Sequence, residues 1–244
     1  MNIWISLIAA LIGYFLGAIS FARLLGRKFA PDENLEKTTF AIPGSDQHFE
    51  LKSVSATSIA MRKGPKEGCL TSILDMLKVT LPTLAFRLIF PHTYYYLIAA
   101  AAGVAGHNYP IYYGFKGGRG MSPLFGGLLI IDWLAIPITT AASMIIGLLL
   151  LKDVFFSYFG TILLLIPWIL YRFTAWPYWL YAVAINVLCW SATLPELTSY
   201  IKLKQSGIIQ ASNPLDSLGE GHTGVLIEFA RKRGWIKNKE ENIP

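Results

Sequence analysis

Cysteine is scarce in this chain. Only Cys69 and Cys189 occur, with no C-x-x-C pair, which removes a disulfide framework and a cysteine-based zinc site from consideration. Each lies in or beside an apolar block and reads as a small buried hydrophobe. The four histidines, His48, His92, His107 and His222, lack metal-ligand spacing, so no metal is expected. Charge is thin as well: 15% of residues are charged, which is rare for a soluble domain. The apolar blocks do not alternate with period two, which argues against a membrane β-barrel. No internal repeat is visible, which argues against an inverted-repeat transporter. The first apolar run has no basic segment before it, and Arg23, Arg27 and Lys28 follow it. That order excludes a cleavable signal peptide and predicts a first span with an external N-terminus.

What the chain does have is apolar length. Of its 244 residues 54% are hydrophobic, the mean hydropathy is +0.47, and the surplus comes in long blocks. This predicts an all-α, polytopic helical membrane protein. The spans are read at about 3–25, 70–90, 94–106, 121–131, 134–151, 155–171 and 178–194. The first carries a Gly13/Gly17 G-x-x-x-G pair, which reads as close helix packing. Residues 27–53 are polar and irregular; 53–63 reads as a short helix lying at the interface, broken by Gly64-Pro65. The second span carries Asp75 and Lys78 on one face, either an ion pair or the lining of a polar cavity. The segment 121–131 is short for a crossing and needs thinned bilayer or a half-helix. Trp168, Tyr171, Trp176, Tyr178 and Trp179 read as an interfacial belt.

The cations test the topology. If 121–131 crosses, seven spans put eighteen of the 21 Lys and Arg on one side, leave Arg87 and Arg172 on the other, and Lys78 within the membrane. The positive-inside rule then places the N-terminus outside and the tail in the cytoplasm. The net charge of +6 is that of cytoplasmic loops facing anionic lipid, and no nucleic-acid partner is called for. Two parts are expected: a membrane domain over 1–204 and a cytoplasmic tail over 205–244, within which 222–235 reads as a basic surface helix on lipid or a solvated one.

One stretch stands apart. Gly106-His107-Asn108-Tyr109-Pro110, then Phe115-Lys116-Gly117-Gly118-Arg119-Gly120, joins two apolar segments on the cytoplasmic side. Glycines let backbone N–H groups approach a ligand, Lys116 and Arg119 supply charge, and the helix starting after Gly120 adds its dipole. This is a pattern for phosphate; the plainer alternative is a glycine-rich loop whose cations only set topology.

Three stretches resemble the bacterial membrane glycerol-3-phosphate acyltransferases that use acyl phosphate (the PlsY family). Gly13-Tyr14-Phe15-Leu16-Gly17-Ala18-Ile19 is similar to its opening helix. Leu70 to Lys78 is similar to its leucine-rich segment with Asp and Lys. Gly106-His107, Pro110 and Phe115–Gly120 resemble its phosphate motif, G-H-x-x-P followed by F-K-G-G-K-G. The resemblance implies seven spans and transfer of an acyl group from acyl phosphate to glycerol 3-phosphate, giving lysophosphatidate, at the cytosolic face of a bacterial plasma membrane. It implies that Lys116, Gly117, Gly118, Arg119 and Gly120 hold phosphate, with Thr57 as a further candidate. His107 would organise the loop, and Asp75 and Lys78 would line or brace the cavity. No cofactor is needed, because phosphate is already a good leaving group.

Two family motifs are altered. The first, roughly G-S-x-N-x-G-A-T-N, falls on Glu50–Ser58, where only Ala56 and Thr57 match: Leu51 takes the serine position, Ser53 and Ser58 replace asparagines, and Ser55 replaces glycine. The third, His-Arg-x-Asn-Ile, falls on Leu197-Thr198-Ser199-Tyr200-Ile201 and keeps neither His nor Asn. Candidate catalytic residues are therefore Ser53, Ser55, Thr57 and His107, with Ser58 as a further hydroxyl. The bases on offer are Asp75, His107, Glu50 and the substrate phosphate, the last ranked first. The alternatives are a phosphate-binding paralogue that catalyses nothing and an anion transporter.

Overall fold

The computed structural model describes residues 1–29, 38–41, 48–51 and 53–206, with side chains over 1–28 and 53–206. The expectations on the 31–52 side chains, Glu50 among them, and on the tail beyond 206 lie outside the described residues.

Helix α1 (Ile3–Gly17) is followed by a break and by α2 (Phe21–Phe29). The sequence predicts one uninterrupted helix here; residues 18–20 leave it, for a reason given by the site below. Two short strands, β1 (Thr38–Ala41) and β2 (His48–Leu51), pair antiparallel with Thr38 opposite Leu51. The sequence reading has only irregular chain there. Four-residue strands, Thr-Thr-Phe-Ala and His-Phe-Glu-Leu, are too short to impose a readable alternation. Helix α3 (Ala56–Lys63) ends at Gly64, whose φ of 107° suits glycine, and Pro65 opens α4 (Pro65–Ile89). Then come α5 (Tyr95–Asn108), α6 (Met121–Ile131), α7 (Ala135–Ile145) running into a π turn at Ile146–Leu150, α8 (Val154–Arg172) and α9 (Trp176–Gln205).

Among the described residues, four stretches are long and apolar enough to cross a bilayer: Ile3–Lys28, Pro65–Ile89, Val154–Arg172 and Trp176–Gln205. Their sidedness is inverted relative to a soluble protein. On α4, Leu70, Ile73, Leu77, Leu81, Leu84 and Leu88 form an exposed apolar stripe, while Thr71, Asp75, Lys78 and Thr83 are buried. A hydrocarbon surround makes that arrangement favourable; water would not. Cys69 also lies on the exposed side, so it is not the buried hydrophobe expected, whereas Cys189 is buried.

Small residues set the closest approaches. A Cβ on Gly13 or Gly17 would overlap the α5 backbone at Ala99 or Gly103, and one on Gly106 would overlap Tyr14 of α1. The G-x-x-x-G pair is therefore a packing device. Helix α4 packs on α5 and α6, and α8 on α7 and α9. The main apolar core runs through Val79, Val104, Leu124, Leu128, Ile162, Leu165 and Ile185.

Candidate active site

The site begins with Lys78. Its ammonium lies 2.7 Å from Asp75 Oδ1, donates to the Ile19 carbonyl at 2.6 Å and meets His107 Nδ1 at 2.9 Å. Three partners match its three N–H groups, so Lys78 has no donor left for a ligand. Asp75 in turn accepts the backbone N–H of Phe21. This explains the break after α1. A free carbonyl at Ile19 and a free N–H at Phe21 are what a helix interruption leaves, and the buried Lys78–Asp75 pair takes both. The sequence leaves open an ion pair or a cavity lining; the residues form the ion pair. With an ammonium donating to Nδ1, His107 is the neutral tautomer that carries its hydrogen on Nε2. That nitrogen faces Gly118, where any Cβ would overlap it.

The loop after α5 folds back on the end of that helix. Tyr14 donates to the Tyr109 carbonyl at 2.7 Å, and Tyr109 donates to Ser191 on α9 at 2.7 Å. A 3₁₀ turn at Ile111–Tyr113 leads into Gly114 and Phe115, with φ of 60° and 61°. Gly118 N–H returns to the His107 carbonyl at 3.1 Å. Arg23 of α2 donates to the Lys116 carbonyl at 2.9 Å and lies 4.8 Å over the Tyr113 ring. Gly120, at φ 83°, caps α6, with Asn108 and Cys189 filling the space a side chain would need. Backbone donors are left over. The N–H groups of Gly117, Arg119, Gly120, Met121 and Ser122 have no acceptor among the described residues. A run of unused N–H groups at the start of a helix, beside two cations, suits an anion. Lys116 is exposed there.

Arg119 is not free. Its guanidinium donates to Glu196 Oε2 at 2.9 Å, with both side chains buried, and rests against the Phe159 ring at 5.4 Å. The other Glu196 oxygen accepts from Ser53 Oγ at 2.8 Å. One carboxylate on α9 thus joins the segment before α3 to the glycine loop. Ser58 bonds the Ser55 backbone at both ends, accepting its N–H at 3.0 Å and donating to its carbonyl at 2.7 Å. Ser55 Oγ is buried with no partner among the described residues, and Thr57 is half-exposed on the first turn of α3.

Of the residues that the sequence singles out, Ser53 and Arg119 meet through Glu196, while Asp75, Lys78, His107 and Gly118 form a second contiguous group. No described contact joins Ser55 or Thr57 to either. Sequence reasoning misses Glu196 and takes Arg23 only as a topology charge. The single signal for Glu196 is a carboxylate just past an apolar run, and the last span is read to end at about 194, before it.

The glycerol-3-phosphate acyltransferase family model matches residues 7–199, and the chain belongs to that family. It is 31% identical over 144 residues to the glycerol-3-phosphate acyltransferase of Pseudothermotoga lettingae, covering 55% of this chain and 66% of that protein. It is 34% identical over 133 residues to that of Desulfotalea psychrophila, covering 53% and 61%. The match thus spans slightly under two thirds of those relatives' length. The fold is similar to the crystal structure of PlsY, an integral membrane glycerol 3-phosphate acyltransferase, in its glycerol 3-phosphate form, with a TM-score of 0.67 at 20% identity, covering 87% of this chain and 98% of that one. The lysophosphatidic acid form gives a TM-score of 0.64.

Proposed function

We propose that this chain is a membrane acyltransferase that moves an acyl group from acyl phosphate to glycerol 3-phosphate, giving lysophosphatidate for phospholipid synthesis. The observation that carries the reading is the set of unused N–H groups on Gly117, Arg119, Gly120, Met121 and Ser122 beside Lys116 and Arg119, in a chain of this family. That set and the two cations hold a phosphate group, and His107 offers its Nε2 hydrogen to the same loop. Ser53 reaches the loop through Glu196 and Arg119, Ser55 and Thr57 remain the candidate hydroxyls beside Ser53 in sequence, and Asp75 and Lys78 fix His107. The acceptor oxygen attacks the acyl carbonyl carbon. The bond from that carbon to the phosphate oxygen then breaks, and phosphate leaves with the electron pair. Positioning and charge supply the catalysis.

The same reading puts seven crossings in a bacterial plasma membrane, with the N-terminus outside and the site on the cytoplasmic face. Eighteen of 21 cations on one side support it. So does the path of α6. Its first end carries Arg119 against Phe159 near the start of α8, and its last end carries Asp132 bonded to Trp168 near the end of α8. It therefore runs alongside about half of α8 and links the cluster at Arg119 to the one at Asp132.

The test is the full chain in detergent with an acyl phosphate, with and without glycerol 3-phosphate. Phosphate release and lysophosphatidate formation that require the acceptor are expected, and Lys116→Ala should weaken acceptor binding by about 1–3 kcal/mol. Release indifferent to the acceptor, or none, overturns the proposal. Binding of glycerol 3-phosphate without turnover favours the non-catalytic alternative, for which Leu51 at the family's serine position speaks.

A further inference from the structure

Acyl transfer to a hydroxyl requires a destination for the hydroxyl's proton. The described carboxylates and imidazole near the glycine loop narrow the choice. Asp75 is held by Lys78 and by the Phe21 N–H. His107 has its Nδ1 occupied by Lys78 and a hydrogen on Nε2, so it donates and does not accept. Glu196 differs. It is 3% exposed, yet each of its oxygens has a further lone pair beyond the bond it accepts. Its Oε1 takes the Ser53 hydroxyl hydrogen, which leaves the Ser53 oxygen with lone pairs to accept another hydrogen bond. Its Oε2 takes one Arg119 N–H, and the other donors of that guanidinium remain for a phosphate.

We propose that Ser53 and Glu196 form a two-step proton relay for the acceptor hydroxyl; this rests on the acyltransferase reading above. As the acceptor oxygen bonds to the acyl carbon, its proton passes to Ser53 Oγ and the Ser53 proton passes to Glu196 Oε1. The acyl carbon–phosphate oxygen bond breaks, and the electron pair leaves with phosphate. Glu196 then gives its proton to the departing phosphate, and the site returns to its starting state. The pairing with Arg119 adds an electrostatic consequence. While Glu196 is ionised it neutralises Arg119. When the proton arrives, the Arg119 charge is unmatched and acts on the phosphate and the carbonyl oxygen as their negative charge grows. The relay also gives α9 a role that the altered third family motif leaves unfilled, because Glu196 immediately precedes Leu197 at the family's histidine position.

The experiment is steady-state acyl transfer by the full chain with Glu196→Gln, Ser53→Ala and Ser53→Thr, each checked for thermal unfolding in detergent. The relay predicts kcat lowered about 10²- to 10⁴-fold in Glu196→Gln and Ser53→Ala, the range for general acid–base catalysis, with KM for glycerol 3-phosphate within about threefold. The double variant should be no slower than the worse single one, and Ser53→Thr should recover most of the rate. If Glu196→Gln does not fold, Ser53→Ala, which removes one hydroxyl, decides the matter. A kcat near wild type in either variant, or a loss confined to KM, overturns the relay while leaving the acyltransferase reading intact. A wild-type chain without turnover removes that reading and the relay together.

Discussion

At the scale of single residues, the site rests on a chain of contacts with no slack. His107 cannot retreat from Gly118, because Lys78 holds its Nδ1 and is itself held by Asp75 and the Ile19 carbonyl. Gly118→Ala therefore overpacks a fixed ring. It should cost about 1–3 kcal/mol in stability and abolish acyl transfer. Gly114→Asn is the control: that position needs φ 60°, which Asn tolerates, and it faces open space. Equal melting temperatures and activities for the two variants would remove the fixed-ring account. The buried pair gives a second prediction. Asp75→Leu alone leaves a buried ammonium unpaired and should cost about 3–5 kcal/mol. Adding Lys78→Met should restore much of that stability in detergent melts without restoring activity, because nothing then orients His107. Recovery of activity in the double variant would show that the pair only braces the fold. The sequence made this pair legible, since i,i+3 spacing within an apolar helix puts both charges on one face. His107 and Ile19 were not legible as its partners, because they reach it from α5 and from the break between α1 and α2.

At the scale of elements, the informative departure is α9. Its apolar run ends near Leu194, and the last span is read to end there, yet the helix continues through Pro195 to Gln205. Tertiary contacts override the local signal. Tyr200 stacks on Phe155 at 5.1 Å, Lys204 reaches Asp153 at 2.6 Å, and Glu196 takes Arg119 and Ser53. The positions of the apolar helices and of α3 were readable because length and hydropathy carry them. The α1 break, the hairpin and the α9 extension were not, because each depends on partners distant in sequence. Asp153 also caps α8, accepting the Phe156 N–H at 2.9 Å. Partial burial pushes its carboxyl upward. The hydrogen bonds from Lys204 and Phe156, the Lys204 charge and the Tyr200 hydroxyl outweigh that, and the group ends below the usual carboxylate range. Because the folded value lies below the unfolded one, near 3.9, the stabilisation is complete above that value and fades as pH falls through the folded one. Lys204→Ala should thus lower the melting temperature at pH 7 and make progressively less difference as the pH falls below the unfolded carboxylate value. A difference that persists undiminished in acid would rule out the charge pairing as its source.

At the scale of the whole molecule, the proposed seven-span topology needs α6 to cross the bilayer, and that helix looks too short for the purpose. Helix α6 has 11 residues, about 16 Å at 1.5 Å per residue, against roughly 30 Å of hydrocarbon. Its ends nonetheless lie in different polar clusters. Gly120 and Arg119 sit with Glu196, whereas Asp132 bonds Trp168 and pairs with Arg172 at 3.5 Å, and Arg87 donates to the Ile130 carbonyl. Helices α4 and α5 pack along α6, and a crossing by so short a helix requires polar ends reaching inward or locally thinned bilayer. This leads to a topology that labelling can test. In a background with Cys69 and Cys189 replaced by alanine, single cysteines go at exposed positions Lys66, His92, Lys152 and Thr174. With α6 crossing, a membrane-impermeant maleimide added to intact cells labels His92→Cys and Thr174→Cys only, and Lys66→Cys and Lys152→Cys react after permeabilisation. Without that crossing, every position after α6 changes side: Lys152→Cys labels together with His92→Cys, and Thr174→Cys is protected. That second pattern would overturn the seven-span topology and separate Lys152 from the face that carries Lys116 and Arg119.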